Sequence, residues 1–387
     1  MKSSYKPLSD YIREVKVKNV DLKTTNLLGI NIDKYFMPSV ANVIGTDMSN
    51  YKIVKKNQFA CNRMHVGRDK RLPISMSKSD EDFIVSPAYD VFEIIDTTLL
   101  LPEYLMMWFT RKKFDRNTWF YTDADVRGGL AWKAFCEMEL PIPSIEKQRE
   151  IVNEYNVIHN RIALNNQLIA KLEETAQAIY KQWFVDFEFP DENGKPYKSN
   201  GGEMVFCEEL DKEIPVGWEY GRLSELIEVK YGKDYKHLEV GDIPLYGSGG
   251  IMSYVNKVLY DKPTILIPRK GSLNNIIYLN KPFWSVDTMF YSILKNNFNR
   301  YYVYHFLIAI DFYSLNVGSA VPSMTTEYLN SMSLLKPAIS VLGNFDKIIN
   351  DLLNHKEIQN KEIQKLEDLK ELLLARMTKV EAKAQAV

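Results

Sequence analysis

Shifted against itself by 194 residues, the chain aligns without a gap over positions 140–185, and ten residues are identical. Leu140, Pro143 and Ile145 fall on Leu334, Pro337 and Ile339. Asn156, Asn160 and Asn166 fall on Asn350, Asn354 and Asn360, and Ile169, Lys171, Leu172 and Glu173 fall on Ile363, Lys365, Leu366 and Glu367. Internal repetition restricts a fold strongly, because each copy has to bury the same face in the same way. The shift is about half of the 387 residues. A second echo sets Leu8-Ser9-Asp10-Tyr11-Ile12 against Leu223-Ser224-Glu225-Leu226-Ile227, displaced by 215. Each of these copies opens a segment that closes at one of the paired prolines, giving the order segment, helix, segment, helix.

The helices carry a heptad stripe. Ile151, Tyr155, Ile158, Ile162, Asn165, Ile169, Leu172, Ala176, Ile179 and Trp183 are spaced by alternate steps of four and three, the spacing of a coiled-coil seam. Pro143 and Ser144 suit the helix entrance, with Glu146 and Glu150 near its positive end. About 40 residues without Gly or Pro predict a rod of roughly 60 Å. The matching positions of the second copy are Phe345, Ile349, Leu352, Lys356, Gln359, Ile363, Leu366, Lys370, Leu373 and Met377. Asn165 and Gln359 are the polar seam residues expected to set register.

The intervening segments alternate short Ile-, Val- and Tyr-rich runs with Gly, Pro, Asn and Asp turns. Pro263–Pro268 and Asn275–Asn280 read as strands, and 101–111 and 299–313 as helical patches. The predicted fold class is α+β, with two such domains, 1–142 and 190–335, alternating with two long coiled-coil-like helices, 143–189 and 336–387, in a pseudo-twofold repeat.

Several function classes are excluded or weakened. No apolar run reaches the length of a membrane helix, and the polar start lacks the core of a signal peptide. Cys61, Cys136 and Cys207 lie far apart, so no zinc spacing or disulfide framework is present, and a reducing cytoplasm is expected. The phosphate loop, the GxSxG elbow and HExxH are missing, and so is an adenine-methyltransferase box. Asp191 with Glu228-Val229-Lys230, and Glu14-Val15-Lys16, match a nuclease metal triplet only formally. The net charge of −1 hides a gradient: residues 191–228 hold 4 basic and 10 acidic groups, whereas 229–300 hold 10 and 5. A locally basic field is what phosphate binding needs, whatever the total.

Two loops have the composition of nucleic-acid readers. Arg63-Met64-His65-Val66-Gly67-Arg68-Asp69-Lys70-Arg71 follows the apolar Phe59-Ala60-Cys61, and Pro268-Arg269-Lys270-Gly271-Ser272 follows a strand. Arg can fork onto guanine or phosphate. Gly247-Ser248-Gly249-Gly250 adds a loop whose backbone N–H groups can approach phosphate or base edges.

Three stretches give the chain a family likeness. Trp183-Phe184-Val185-Asp186-Phe187 resembles the WFVDF that closes the first conserved helix in specificity (S) subunits of type I restriction–modification systems. Leu140-Pro141-Ile142-Pro143-Ser144-Ile145-Glu146-Lys147-Gln148 is similar to that family's P-x-x-EQ helix entrance, and Ile214-Pro215-Val216-Gly217-Trp218-Glu219 to the IPxGW that opens its second recognition domain. The sequence departs from the pattern where Lys147 separates Glu146 from Gln148, where Pro337 is followed by Ala338-Ile339-Ser340-Val341-Leu342, and where the second helix ends Ala375-Arg376-Met377.

The resemblance implies that each α+β segment is a target recognition domain reading one half of a split site in double-stranded DNA, while the two long helices pack antiparallel and act as a ruler. It implies docking of two modification subunits carrying S-adenosylmethionine, and restriction subunits using ATP and Mg, with no cofactor, metal or catalysis in this chain. DNA contacts are expected from Arg63, Arg68, Lys70 and Arg71 in the first reader. In the second they are expected from Lys233, Tyr246, Ser248, Arg269, Lys270 and Ser272. The alternatives are a stand-alone restriction nuclease or methyltransferase, and a coiled-coil scaffold without DNA affinity.

Overall fold

The computed structural model describes residues 5–40, 45–64, 66–122, 128–314 and 323–377. The heptad stripes form two uninterrupted helices, Ile145–Phe184 of 40 residues and Ile339–Arg376 of 38. The first begins where expected: Ser144 Oγ accepts a hydrogen bond from the Lys147 N–H at 3.3 Å, capping an otherwise orphan donor.

Packing divides the chain into two units, Met1–Asn165 with Lys361–Val387, and Asn166–Asn360. Each long helix therefore gives one half to each unit. In the first unit Arg161 forks onto Glu362 at 3.0 and 3.3 Å, and Ile151 and Val152 share a core with Leu374 and Met377. In the second, Lys356 donates to Glu173 at 2.5 Å, and Trp183 lies 5.8 Å from the Phe345 ring. Residue numbers rise on one helix as they fall on the other, so the pairing within each unit is antiparallel. Two of the seam's polar positions are unsatisfied: the Asn165 amide nitrogen and the Gln359 carbonyl oxygen are buried without a hydrogen-bond partner. Lys356, a charged interruption of the stripe, is the residue that reaches Glu173.

The repeat extends to the sheets. In the first unit four strands pair in the order Ile12–Val15, Asp90–Ile94, Phe59–Cys61, Ile74–Met76. In the second they pair in the order Ile227–Tyr231, Met289–Leu294, Thr264–Pro268, Ile277–Leu279. The registers agree as well: Ile12 faces Ile94 as Ile227 faces Leu294, and Ala60 faces Ser75 and Val91 as Leu266 faces Ile277 and Tyr291. Leu8 and Leu223, the heads of the second echo, are both fully buried at the start of this sheet.

Both faces of each central strand are covered, and alternation along the strand decides which residue meets which core. Phe59, Cys61 and Phe92 join the larger core of the first unit, whereas Ala60 and Val91 join a smaller one with Val54, Phe83 and Val85. Ile265, Ile267 and Phe290 likewise join the larger core of the second unit, and Leu266 and Met289 a smaller one with Leu245 and Phe283.

The helical patches are Pro102–Phe109, followed by Lys112–Phe120, and Asn299–Ile308. A clamp repeats here: the Tyr104 hydroxyl donates to the Pro141 carbonyl at 3.2 Å, and that of Tyr302 to the Leu335 carbonyl at 2.6 Å. The acceptors are 194 residues apart, which ties each recognition segment to its own helix entrance by the same bond.

The resemblance motifs have structural work to do. Gln148 is fully buried; its amide donates to the Leu99 and Pro143 carbonyls at 2.9 Å and accepts from the Leu101 N–H. Leu342, at the matching position of the second helix, is simply buried. Trp183, Phe184 and Phe187 are buried, and Trp218 of the IPVGW stretch packs against Phe184, Phe187 and Phe189 at 5.1–5.8 Å between rings. The two motifs are the halves of one aromatic cluster.

Candidate nucleic-acid interface

The basic loop of each unit leaves the same sheet strand at the same point. Counting three residues on from the matched pair Ala60 and Leu266 brings Arg63 into register with Arg269. The main chain confirms the match. The Arg63 carbonyl accepts from the Leu130 N–H at 3.0 Å and the Arg269 carbonyl from the Met324 N–H at 2.8 Å. Leu130 and Met324 are themselves 194 residues apart.

In the first unit every cation expected to read DNA has a partner inside the protein. Arg63 pairs with Asp90 at 2.6 Å, with only 20% of its side chain exposed, donates to the Leu130 carbonyl, and lies 5.5 Å over the Trp132 ring. Arg68 forks onto its neighbour Asp69 at 2.7 and 3.0 Å. Lys70 sits 5.0 Å over the Trp119 ring with a left-handed φ of 55°, and Arg71 pairs with Asp33 at 2.9 Å. Arg68, Lys70 and Arg71 remain exposed. His65 lies outside the described residues. Gly67 permits a close approach, but to the chain itself: its N–H donates to the Gly128 carbonyl, and a methyl added at Gly67 would stand 2.7 Å from the Gly128 Cα.

The second unit is arranged differently. Ser248 and Gly249 form the turn between strands Val240–Gly247 and Gly250–Val255. That turn meets the Arg269 loop. The Ser248 carbonyl accepts from Asn275 at 2.8 Å, and a methyl on Gly271, whose φ is +83°, would stand 2.5 Å from Ser248 Oγ. The Tyr313 hydroxyl closes the cluster by donating to the Gly271 carbonyl at 3.0 Å. Lys270 and Ser272 are exposed on the same loop.

Arg269 lies 5.4 Å over the Tyr231 ring, and neither it, Lys233 nor Lys270 has a carboxylate partner among the described residues. The Lys233 backbone is fixed by Ser285 at 2.8 Å and by the Trp284 indole at 3.1 Å, leaving its side chain exposed. Tyr246 is only 5% exposed and packs edge-on to Phe283, so its ring belongs to the small core under this surface.

Exposed aromatic side chains accompany both loops, a feature composition alone could not place. Trp119, Phe120 and Tyr121 are 45%, 81% and 53% exposed beside Lys70, and Tyr231 and Tyr313 are about half exposed beside Arg269. The sequence signal was the run Trp119-Phe120-Tyr121 at the end of a helix whose other face is already buried. Among the described residues no group of His, Cys, Asp and Glu could hold a metal ion, and no helix is long and apolar enough to cross a membrane. Glu228 of the nuclease-like triplet instead pairs with Lys230 at 2.5 Å. The three cysteines are free thiols.

Residues 215–368 match the family model of the type I restriction modification DNA specificity domain. The MjaIX specificity subunit of Methanocaldococcus jannaschii is 24% identical over 316 residues, 73% of this chain and 70% of that protein. The chain is similar to type I specificity subunits. The HindI specificity subunit of Haemophilus influenzae is 26% identical over 160 residues, which are 40% of this chain and 34% of that protein. A crystal structure of a type I restriction–modification S subunit from M. genitalium shares the fold, with a TM-score of 0.58, 17% identity, and coverage of 96% and 95% of the two chains.

Proposed function

We propose that this chain is the DNA-recognition subunit of a type I restriction–modification complex and reads a bipartite, asymmetric site, one half with each unit. The carrying observation is the shared sheet order and register, which sets Arg63 and Arg269 at one position while giving them different surroundings. Two non-identical readers joined by continuous helices make the spacer a property of protein geometry.

Base and phosphate contacts in the second half-site come from Lys233, Arg269, Lys270, Ser248 and Ser272. Those of the first come from Arg68, Lys70 and Arg71, with the neighbouring aromatics offering stacking or apolar contact. Two modification subunits supply S-adenosylmethionine and methylate a flipped adenine, restriction subunits supply ATP- and Mg-dependent cleavage, and the complex works in the cytoplasm.

The test is to express the chain with its modification subunit and map methylated adenines. Exchanging residues 1–140 for those of another specificity subunit should change one half of the methylated motif and leave the other. A change in both halves would overturn the two-reader assignment.

A further inference from the structure

The first unit holds a cavity of about 840 Å³ that the recognition reading does not use. Its walls come from the hairpin Leu28–Ile30 and Phe36–Pro38, the helix Pro102–Phe109, and both long helices within that unit. Phe36, Met76, Met106 and Leu374 make the lining largely apolar.

Most charges on the wall are matched: Lys34 with Asp115 at 2.7 Å, Lys112 with Glu371 at 2.5 Å, Lys370 with Glu367 at 2.6 Å and Asp33 with Arg71 at 2.9 Å. Lys78, Lys113 and Glu103 also line it without a paired charge among the described residues, but they reach solvent, whereas Arg111 is buried. It is 7% exposed and its guanidinium stacks 4.0 Å over the Trp108 ring, with Tyr5 and Tyr104 as its electrostatic neighbours and no carboxylate paired with it among the described residues. Ser77, on the same wall, is 1% exposed, and its hydroxyl has no partner.

Stacking on an indole uses the face of a guanidinium and none of its five in-plane N–H donors. A buried cation without a counter-ion is strongly unfavourable, and the deficit disappears when an anion binds. Burial also pushes the Arg111 pKa down, the direction expected of a guanidinium lacking an acid. An apolar chamber with a few convergent polar groups is the usual form of a small-molecule site.

We propose that this cavity binds an amphipathic oxyanion, its carboxylate or phosphate head on Arg111 and Ser77 and its apolar body along Phe36, Met76, Met106 and Leu374. The planar fork of Arg matches either head group.

The full chain, titrated with decanoate, decyl phosphate, 1-decanol and decyltrimethylammonium, tests this by calorimetry and thermal shift. One or both anions should bind and raise Tm, and whichever binds more tightly names the head group. The alcohol should bind about tenfold more weakly or worse, as loss of a charge-assisted hydrogen bond implies, and the cation should not bind. Arg111→Met keeps the side chain's length and removes the charge. It should leave the unliganded Tm unchanged or raised and erase the preference for anion over alcohol. A purely structural Arg111 would instead lower Tm on substitution. If R111M does not fold, Leu374→Trp, which fills the cavity and keeps Arg111, must abolish binding. Absence of an anion preference in the unmodified chain, or its survival in either variant, overturns the proposal.

Discussion

Arg63 and Arg269 stand at one position of two copies of one sheet, and their neighbours hold them differently. Arg63 is tied down by Asp90, by the Leu130 carbonyl and by Trp132. The partner is lost in the second copy because register sets Asp90 against the buried Phe290. Among the described residues, Arg269 has no such carboxylate and lies over the face of Tyr231. One backbone plan can therefore hold an arginine in an internal ion pair in one copy and leave its counterpart without that carboxylate in the other, according to the residue on the adjacent strand.

The largest effect expected from breaking this comparison is at Arg63. With side-chain exposures of 20% and 15%, the Arg63–Asp90 pair is mostly out of water. Arg63→Met strands the Asp90 carboxylate and the Leu130 carbonyl, which should cost about 3 kcal/mol of stability. Denaturant unfolding of the purified chain measures it. A loss confined to DNA affinity, with stability intact, would mean that Arg63 is a reader after all.

The next effect concerns acid. The repeated tyrosine clamp is offset by 198 residues, Tyr104 to Tyr302, and the same offset sets His305 where the first unit has Met107. His305 is 3% exposed, its Nδ1 is 2.8 Å from Gln177 Oε1, its Nε2 has no partner, and Tyr180 and Phe345 enclose it. Burial lowers its pKa from 6.5 to about 4. Because the folded value lies below the unfolded one, the unfolded chain takes up the proton first as pH falls. Stability is therefore full above about pH 6.5, declines between pH 6.5 and 4 by about 3 kcal/mol in all, and levels off below. His305→Met, which copies the first unit, should flatten this window while the acid response of the remaining carboxylates persists.

Much of this architecture could be read from the sequence, and the reason for the remainder is physical. The strand Thr264–Pro268 and both long helices fall where bounded apolar runs and heptads predict them, because periodicity reports which face is buried. The echo of Leu8–Ile12 in Leu223–Ile227 proved to be the same strand entrance twice over. Ion pairing was not legible. Asp90 lies 27 residues from Arg63 and meets it only through strand pairing, and Asp33 meets Arg71 across 38 residues. Composition made the two loops look alike, and tertiary partners made them different. Tyr246 was misleading for a related reason: the pairing register shifts between Leu245 and Tyr246, so both side chains join the small core instead of alternating, while Ser248 in the following turn is half-buried.

The affinity comparison follows directly. Arg269→Ala disturbs no ion pair among the described residues and should leave stability almost unchanged, while weakening DNA binding by about tenfold and relaxing specificity in the second half-site only. Lys233→Ala or Lys270→Ala should act on all sequences alike and lower the salt dependence by about one counterion each. Competition binding with half-site variants at two salt concentrations separates the two outcomes.

The smallest effects are expected where exposed cations are already satisfied. Arg68 and Arg71 must leave Asp69 and Asp33 to touch DNA, so each contact replaces one interaction with another instead of adding one. Arg68→Ala and Arg71→Ala should then weaken the first half-site by only a few-fold, less than Arg269→Ala weakens the second. The matched changes Asp69→Asn and Asp33→Asn should strengthen first-half-site binding by freeing the arginine and removing a repelling charge. If R68A or R71A proves as damaging as R269A, and the asparagine variants bind no better, internal pairing does not decide which arginines read. The difference between the two loops would then have to come from the aromatic side chains that flank them, beginning with Trp119 and Phe120.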